Sequence, residues 1–97
     1  MLATLWLVAL CEQATVAAVA GMLSPNETSV GVHVDIEHLI ASTSGATVTA
    51  TAEIQSFDHS RFVCSVDAYE GSDLVGRGTI VRVRVDRQRF VRDRGKL

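Results

Sequence analysis

The sequence has little of the residues that mark the less common protein classes. It contains one proline and seven glycines among 97 residues, too few for a collagen-like chain or a Pro/Gly-rich disordered one. Its two cysteines, Cys11 and Cys64, lie far apart and form no CxxC motif, which argues against a disulfide framework or a zinc site. Both have apolar neighbours, so we expect two buried thiols, no metal and no cofactor.

Positive charge is almost absent from the first three quarters of the chain. Residues 1–76 contain one cation, Arg61, against nine acidic residues (net −8), whereas residues 77–97 contain eight cations and two acids (net +6). The basic tail, from about residue 86, has three possible interpretations: a solvated face, contacts with an anionic ligand, or a nucleic-acid patch. The last fits poorly, because the pI is about 5.8 and Phe90 is the tail's one aromatic residue.

The first 23 residues are rich in apolar side chains, with 18 of them apolar. A secretory signal is the obvious alternative, but no Lys or Arg precedes the apolar run. A membrane span is disfavoured because Glu12 and Gln13 interrupt its middle. We therefore predict a helix over about residues 5–22, buried on nearly every side and ending before Pro25.

Beyond Pro25 the apolar residues alternate with polar ones, which is typical of strands. The first strand carries Val30, Val32, Val34 and Ile36 on one face, and a turn at residues 42–45 follows it. Three more strands are predicted at about residues 48–54, 62–68 and 74–85. In the last of them, Val81, Val83 and Val85 stand opposite Arg82 and Arg84.

This order of elements predicts a single α+β domain over residues 1–97. Short connections favour a meander of antiparallel strands. A lone helix with apolar side chains all round must be wrapped by that sheet. The expected architecture is thus a hotdog fold, one long apolar helix wrapped by a curved antiparallel sheet of about four strands.

Three segments resemble the fluoroacetyl-CoA thioesterase-like branch of the hotdog thioesterases. They are residues 2–12 (LATLWLVALCE), 29–38 (SVGVHVDIEH) and 76–82 (GRGTIVR), and the spacing between them is retained without insertion. The resemblance implies that Thr4, Glu12 and His38 are the catalytic residues. It also implies that Gly31 lines the acyl site and that Arg82 closes it. Such domains have a strand before the helix, whereas this sequence begins at the helix motif, so we expect a hotdog without its first strand.

Thioester hydrolysis needs a base or nucleophile, a proton donor for the departing thiolate, and hydrogen-bond donors facing the oxyanion. Glu12 is the only acidic or basic side chain before Glu27 and is a candidate base or nucleophile. His38 would be its proton partner, because an imidazole titrates near neutral pH. The Thr4 hydroxyl would orient them.

Each of these side chains also has an ordinary structural interpretation. Glu12 would then surface at the edge of the helix or pair across a dimer, His38 would be a hydrogen-bonded strand-end residue, and Thr4 would be an N-cap. In one regular helix, Thr4 and Glu12 would lie about 12 Å apart. Their cooperation would therefore require Thr4 to precede the helix, or contact through water or another subunit.

The resemblance implies a cytoplasmic, homodimeric acyl-CoA thioesterase with its active sites at the subunit interface. The tail arginines would then contact coenzyme A phosphates or only water. The alternative is a non-catalytic hotdog that binds acyl-CoA or assembles with a partner. Neither nucleic acid nor a membrane is expected as a partner.

Overall fold

The computed structural model describes residues 2–41 and 47–92. Its helices and strands are α1 (Leu2–Ala20), β1 (Glu27–His38), β2 (Val48–Asp58), β3 (Arg61–Glu70), β4 (Asp73–Asp86) and α2 (Arg87–Arg92). One helix and four strands were expected in this order. The predicted turn at residues 42–45 lies outside the described residues. The helix α1 begins three residues earlier than predicted, and this places Thr4 inside it.

One stripe of α1 packs on the sheet. Leu7, Cys11, Thr15 and Val19 are all buried and recur every four residues, which is the spacing of a single helix face. The opposite side is apolar but open, with Leu5 70% and Trp6 46% exposed. The prediction of a helix buried on nearly every side is therefore wrong for a single chain, because four strands cover only one side of it.

The four strands form one antiparallel sheet in the order β1-β4-β3-β2. The predicted meander holds for β2, β3 and β4 but not for β1, which pairs with β4 at the far side of the sheet. The two strands β1 and β2 are consecutive in the chain but lie at opposite edges. They therefore do not pair with each other as a hairpin.

The buried face of the sheet contains the predicted face of β3, namely Phe62, Cys64, Val66 and Ala68. Both thiols are free and buried, and burial raises the pKa of each thiol. Among residues 2–41 and 47–92, no helix combines the length and hydropathy that crossing a membrane requires.

A β-bulge in β1 changes which residues face the helix. The register against β4 shifts between Gly31 and His33, and one extra residue reverses the alternation of side chains. Gly31 before the bulge and Ile36 after it consequently share the helix side: Gly31 lies against Glu12 and Ile36 packs on the core. The predicted face of Val30, Val32, Val34 and Ile36 is therefore split between the two sides of the sheet.

The alternation in β4 also differs from the prediction. Arg82 pairs in register with Phe62, so its side chain is on the helix side, where it is only 6% exposed. Valines were expected on that side because they are apolar. The arginine is accommodated there because the helix presents Glu12 to it.

Close packing at Gly76 aligns the first half of α1 with the end of β1. A Cβ atom at Gly76 would lie 2.7 Å from Leu7 Cδ2, so the missing side chain allows the helix to approach β4. Gly76 is also the register partner of His38. The packing of Leu7 on Gly76 therefore places Thr4, which lies one helical turn before Leu7, next to His38.

Candidate active site

Thr4 and His38 meet at the N-terminal end of α1. The Thr4 Oγ1 atom lies 3.1 Å from His38 Nδ1, which is hydrogen-bonding distance. The hydroxyl donates when Nδ1 carries no proton and accepts when it does. This pair can therefore relay a proton between the imidazole and a bound molecule.

Glu12 is paired with Arg82 further along the helix. Arg82 Nη1 donates to Glu12 Oε2 at 3.3 Å. The carboxylate was expected inside an apolar helix environment, but its side chain is 39% exposed, whereas the arginine side chain is 7% exposed. The charge of the buried guanidinium thus holds a carboxylate that a ligand can still approach.

Gly31 provides the space that this carboxylate occupies. A Cβ atom at position 31 would lie 2.7 Å from Glu12 Oε2, closer than van der Waals contact allows. Gly31 is the register partner of Arg82, so the glycine, the arginine and the carboxylate form one compact group. We call Glu12, Gly31 and Arg82 the carboxylate group, and Thr4 with His38 the hydroxyl–imidazole pair.

Within one chain the carboxylate group and the hydroxyl–imidazole pair are separate. Thr4 and Glu12 both belong to α1, and eight residues of helix span about 12 Å. No hydrogen bond or ion pair among the described residues joins Glu12 to Thr4 or His38. Because Thr4 lies inside α1 and does not precede it, the two groups make no direct contact within one chain.

Ser29 contacts the carboxylate group through Arg82 but was not predicted from the sequence. It lies two residues before Gly31 on β1, and its side chain and carbonyl oxygen both accept hydrogen bonds from Arg82. It stands in the segment 29–38 that carries the resemblance, so its position relative to Gly31 was the available signal. The spacing alone does not show the contact with Arg82, because that contact depends on the pairing of β1 with β4.

A cleft of about 530 Å³ lies beside the carboxylate group. Its wall combines apolar side chains of α1 and the following loop with polar ones of β1, β4 and α2, and includes Val16, Leu23, Ser29, Arg82 and Arg87. Such a mixed lining is typical of ligand sites, in which apolar area gives affinity and a few polar groups fix orientation. No group of three or more His, Cys, Asp or Glu side chains that could hold a metal occurs in the described part of the chain.

The arginines of β4 and α2 have different surroundings. Arg84 Nε lies 3.5 Å from Glu27 Oε2, and its guanidinium lies 5.2 Å from the centre of the Phe57 ring. Arg87 lines the cleft. The arginines from 82 to 92 therefore do not form one uniform basic surface. Arg94 and Lys96 lie outside the described residues.

The fold and this site define a hotdog-fold domain with a helix-borne carboxylate beside a strand glycine, the class to which the acyl-CoA thioesterases belong. The family model described as fluoroacetyl-CoA-specific thioesterase, FlK, matches residues 1–88. The chain belongs to this family.

Individual relatives agree with this assignment. The fluoroacetyl-CoA thioesterase of Streptantibioticus cattleyicolor is 39% identical over 88 residues, which are 91% of this chain and 63% of that protein. A crystal structure of a point variant of the fluoroacetyl-CoA-specific thioesterase FlK with fluoroacetate and CoA superposes with a TM-score of 0.85. It is 39% identical, and the match covers 91% of this chain and 70% of that one.

A more distant structure has the same architecture. A thioesterase superfamily member from Thermus thermophilus is 27% identical, with a TM-score of 0.85, over 95% of this chain and 72% of that chain. The predicted family and the predicted hotdog fold are thus both confirmed. The chain spans less than two thirds of the length of the curated relative.

Proposed function

We propose that this protein hydrolyses a small acyl-CoA thioester to the free acid and coenzyme A. The observation that carries the proposal is the carboxylate group, in which Glu12 is held by Arg82 in the space beside Gly31. Membership of the thioesterase family and the likeness to a structure with fluoroacetate and CoA support it. We infer the substrate class from that likeness, and an assay with several short acyl-CoA thioesters identifies the acyl group.

The geometry supports a division of chemical roles. In the base route, the Glu12 carboxylate takes a proton from water, and the resulting hydroxide adds to the thioester carbonyl carbon. The tetrahedral intermediate collapses, the C–S bond breaks, and the leaving sulfur receives a proton from the His38–Thr4 pair. In the nucleophile route, the carboxylate itself adds to the carbonyl carbon, the C–S bond breaks, and the coenzyme A thiolate leaves and takes its proton from the same pair. Water then hydrolyses the acyl-glutamyl anhydride to the free acid and the glutamate carboxylate. In both routes Arg82 keeps the carboxylate in place.

We propose further that a complete site forms between two copies of the chain. The carboxylate group and the hydroxyl–imidazole pair are about 12 Å apart along one helix, and β1, which carries Gly31 and His38, is an edge strand. Exposed apolar side chains surround this edge: Leu5, Trp6, Val34, Leu39 and Ile40. An unpaired strand edge with apolar surroundings is suited to pairing with a second chain.

Antiparallel pairing of β1 with itself brings the two parts of the site together. A twofold axis near the middle of β1, around Val34, places the end of one strand that carries His38 beside the end of the other strand that carries Gly31, because antiparallel partners run in opposite directions. Both residues lie on the helix side of β1, where Gly31 contacts Glu12 and His38 contacts Thr4. A homodimer with two interface sites is the resulting proposal.

The proposed substrate also determines where we expect the protein to act. We place it in the cytoplasm, in contact with the acyl-CoA pool. Arg87 at the cleft is positioned to meet an anionic part of the substrate, such as a coenzyme A phosphate. We propose neither a nucleic-acid nor a membrane partner.

The test is the release of free thiol from acetyl-, propionyl-, butyryl- and fluoroacetyl-CoA, with binding measured in parallel by calorimetry. We expect turnover above background for at least one short thioester. Cys11 and Cys64 are buried, so they add little background to a thiol-reactive dye. Binding of coenzyme A with no hydrolysis of any thioester would replace the proposal with the non-catalytic alternative.

A second prediction concerns Gly31. In Gly31→Ala the new methyl group displaces the Glu12 carboxylate, and a displacement of about 1 Å lowers kcat on the order of 10- to 100-fold. The fold itself should hold, because the displaced atom is the end of a flexible side chain. Steady-state kinetics and thermal unfolding measure the two effects separately.

Gly21→Ala is the matched control, since nothing lies within 4 Å of a Cβ atom at that position. We expect it to leave kcat unchanged. A Gly31→Ala protein with the kcat of the parent would show that the position of the carboxylate does not matter.

A further inference from the structure

Arg82 donates two hydrogen bonds to Ser29. The Arg82 Nε–H donates to Ser29 Oγ at 2.9 Å, and Nη2 donates to the Ser29 carbonyl oxygen at 3.0 Å. Both acceptors belong to one residue and lie on one edge of the guanidinium. Because the guanidinium is planar, two bonds along one edge fix the direction of the remaining nitrogen.

That remaining nitrogen, Nη1, is the one that donates to Glu12 Oε2. The contact is 3.3 Å long, which is at the long end for a charge-assisted hydrogen bond. The ion pair by itself therefore defines the angle of the arginine less well than the two shorter bonds to Ser29 do. The chain of contacts runs from Ser29 to Arg82 and from Arg82 to the carboxylate.

Strand pairing makes this contact possible. Arg82 is the register partner of Gly31, and Ser29 is the partner of Arg84. Ser29 and Gly31 both precede the bulge, two residues apart, so they share the helix side of β1. Ser29 is thus the diagonal neighbour of Arg82, within reach of a long side chain.

We infer that Ser29 is a positioning residue, which orients Arg82 so that the Glu12 carboxylate is held in the space beside Gly31. Its catalytic consequence rests on the proposed thioesterase function, but the orientation of Arg82 does not. A serine that merely stabilised the strand pair would affect unfolding and leave both the arginine and kcat unchanged.

The orientation is tested without any substrate by ¹⁵N-edited NMR of the arginine side chains. The Arg82 Nε–H signal is assigned by its loss in Arg82→Lys. We expect it to be slow in solvent exchange in the parent and in Ser29→Thr, which retains the hydroxyl. In Ser29→Ala it should broaden or exchange quickly, because the Nε–H has lost its acceptor.

The catalytic consequence is tested by kinetics of the same variants. Ser29→Ala should lower kcat about tenfold or more, the loss expected for a hydrogen bond to a charged group, with KM little changed. Ser29→Thr should restore most of the activity. Ser65→Ala is the matched control, because that hydroxyl contacts Gln55 on the other face of the sheet and should leave kcat and the NMR signal unchanged.

The outcomes separate this inference from the proposed function. A parent without activity on any thioester, together with a lost Nε–H signal in Ser29→Ala, would remove the proposed function and leave the positioning role intact. An unchanged signal in Ser29→Ala would overturn the inference. So would an unchanged kcat in an active protein whose signal is lost.

Discussion

Glu12→Gln lowers kcat for the best acyl-CoA substrate by about 10²- to 10⁴-fold, the range typical of losing a general base. Glutamine has nearly the shape of glutamate, and its carbonyl oxygen still accepts the hydrogen bond from Arg82. It can neither take a proton from water nor add to a thioester. The loss should therefore appear in kcat, measured by release of free thiol, and much less in KM.

The matched control is Glu53→Gln, which makes the same change in charge at an exposed position of β2. We expect it to keep the parent kcat. Glu12→Gln also leaves the guanidinium of Arg82 without a charged partner, so thermal unfolding of both variants must accompany the kinetics. A folded Glu12→Gln protein with parental turnover would remove Glu12 from the chemistry and with it the proposed mechanism.

Two inactive variants should restore each other when they form a mixed dimer. Glu12→Ala and His38→Ala damage different parts of the site, and in the proposed dimer these parts come from different chains. In the mixed dimer one site combines the intact His38 of one chain with the intact Glu12 of the other. The expected activity is about half that of the parent, from one intact site of two.

Co-expression with two affinity tags, followed by purification on both, isolates the mixed dimer for this measurement. The control pair is Glu12→Ala with Arg82→Ala, two changes within the same carboxylate group. In that mixed dimer both sites are damaged, so we expect no recovery. If the first pair also failed to recover although the mixed dimer had formed, the complete site would lie within one chain, with water joining its parts.

Much of this arrangement was predictable from local sequence patterns. The four strands were predicted from period-two alternation, because that alternation reflects strand geometry directly. The buried face of β3 was correct for the same reason. The helix was predicted from its apolar run, although the pattern did not show that it begins at Leu2. The three segments of the resemblance led to the family and to the residues of the carboxylate group.

Other features could not be read from local patterns. The bulge at Gly31 and His33 reverses which residues of β1 face the helix, and a single period of two across the strand cannot represent that reversal. The inward side chain of Arg82 contradicts hydropathy and is explained by Glu12, which is 70 residues away in the chain. The place of β1 beside β4 depends on long-range pairing, whereas the sequence pattern suggested a simple turn between two neighbouring strands.

The sequence contains one proline, two cysteines and only one positively charged side chain before residue 77. By itself it determined the elements, the family and the residue types of the site, because periodicity and motif spacing are properties of the chain. Only the tertiary structure decided that Thr4 meets His38 while Glu12 meets Arg82 and Gly31. These contacts depend on the strand order, on the bulge in β1 and on the continuous helix α1. Thr4 and Glu12 lie about 12 Å apart along that helix, so each contacts different residues of the sheet.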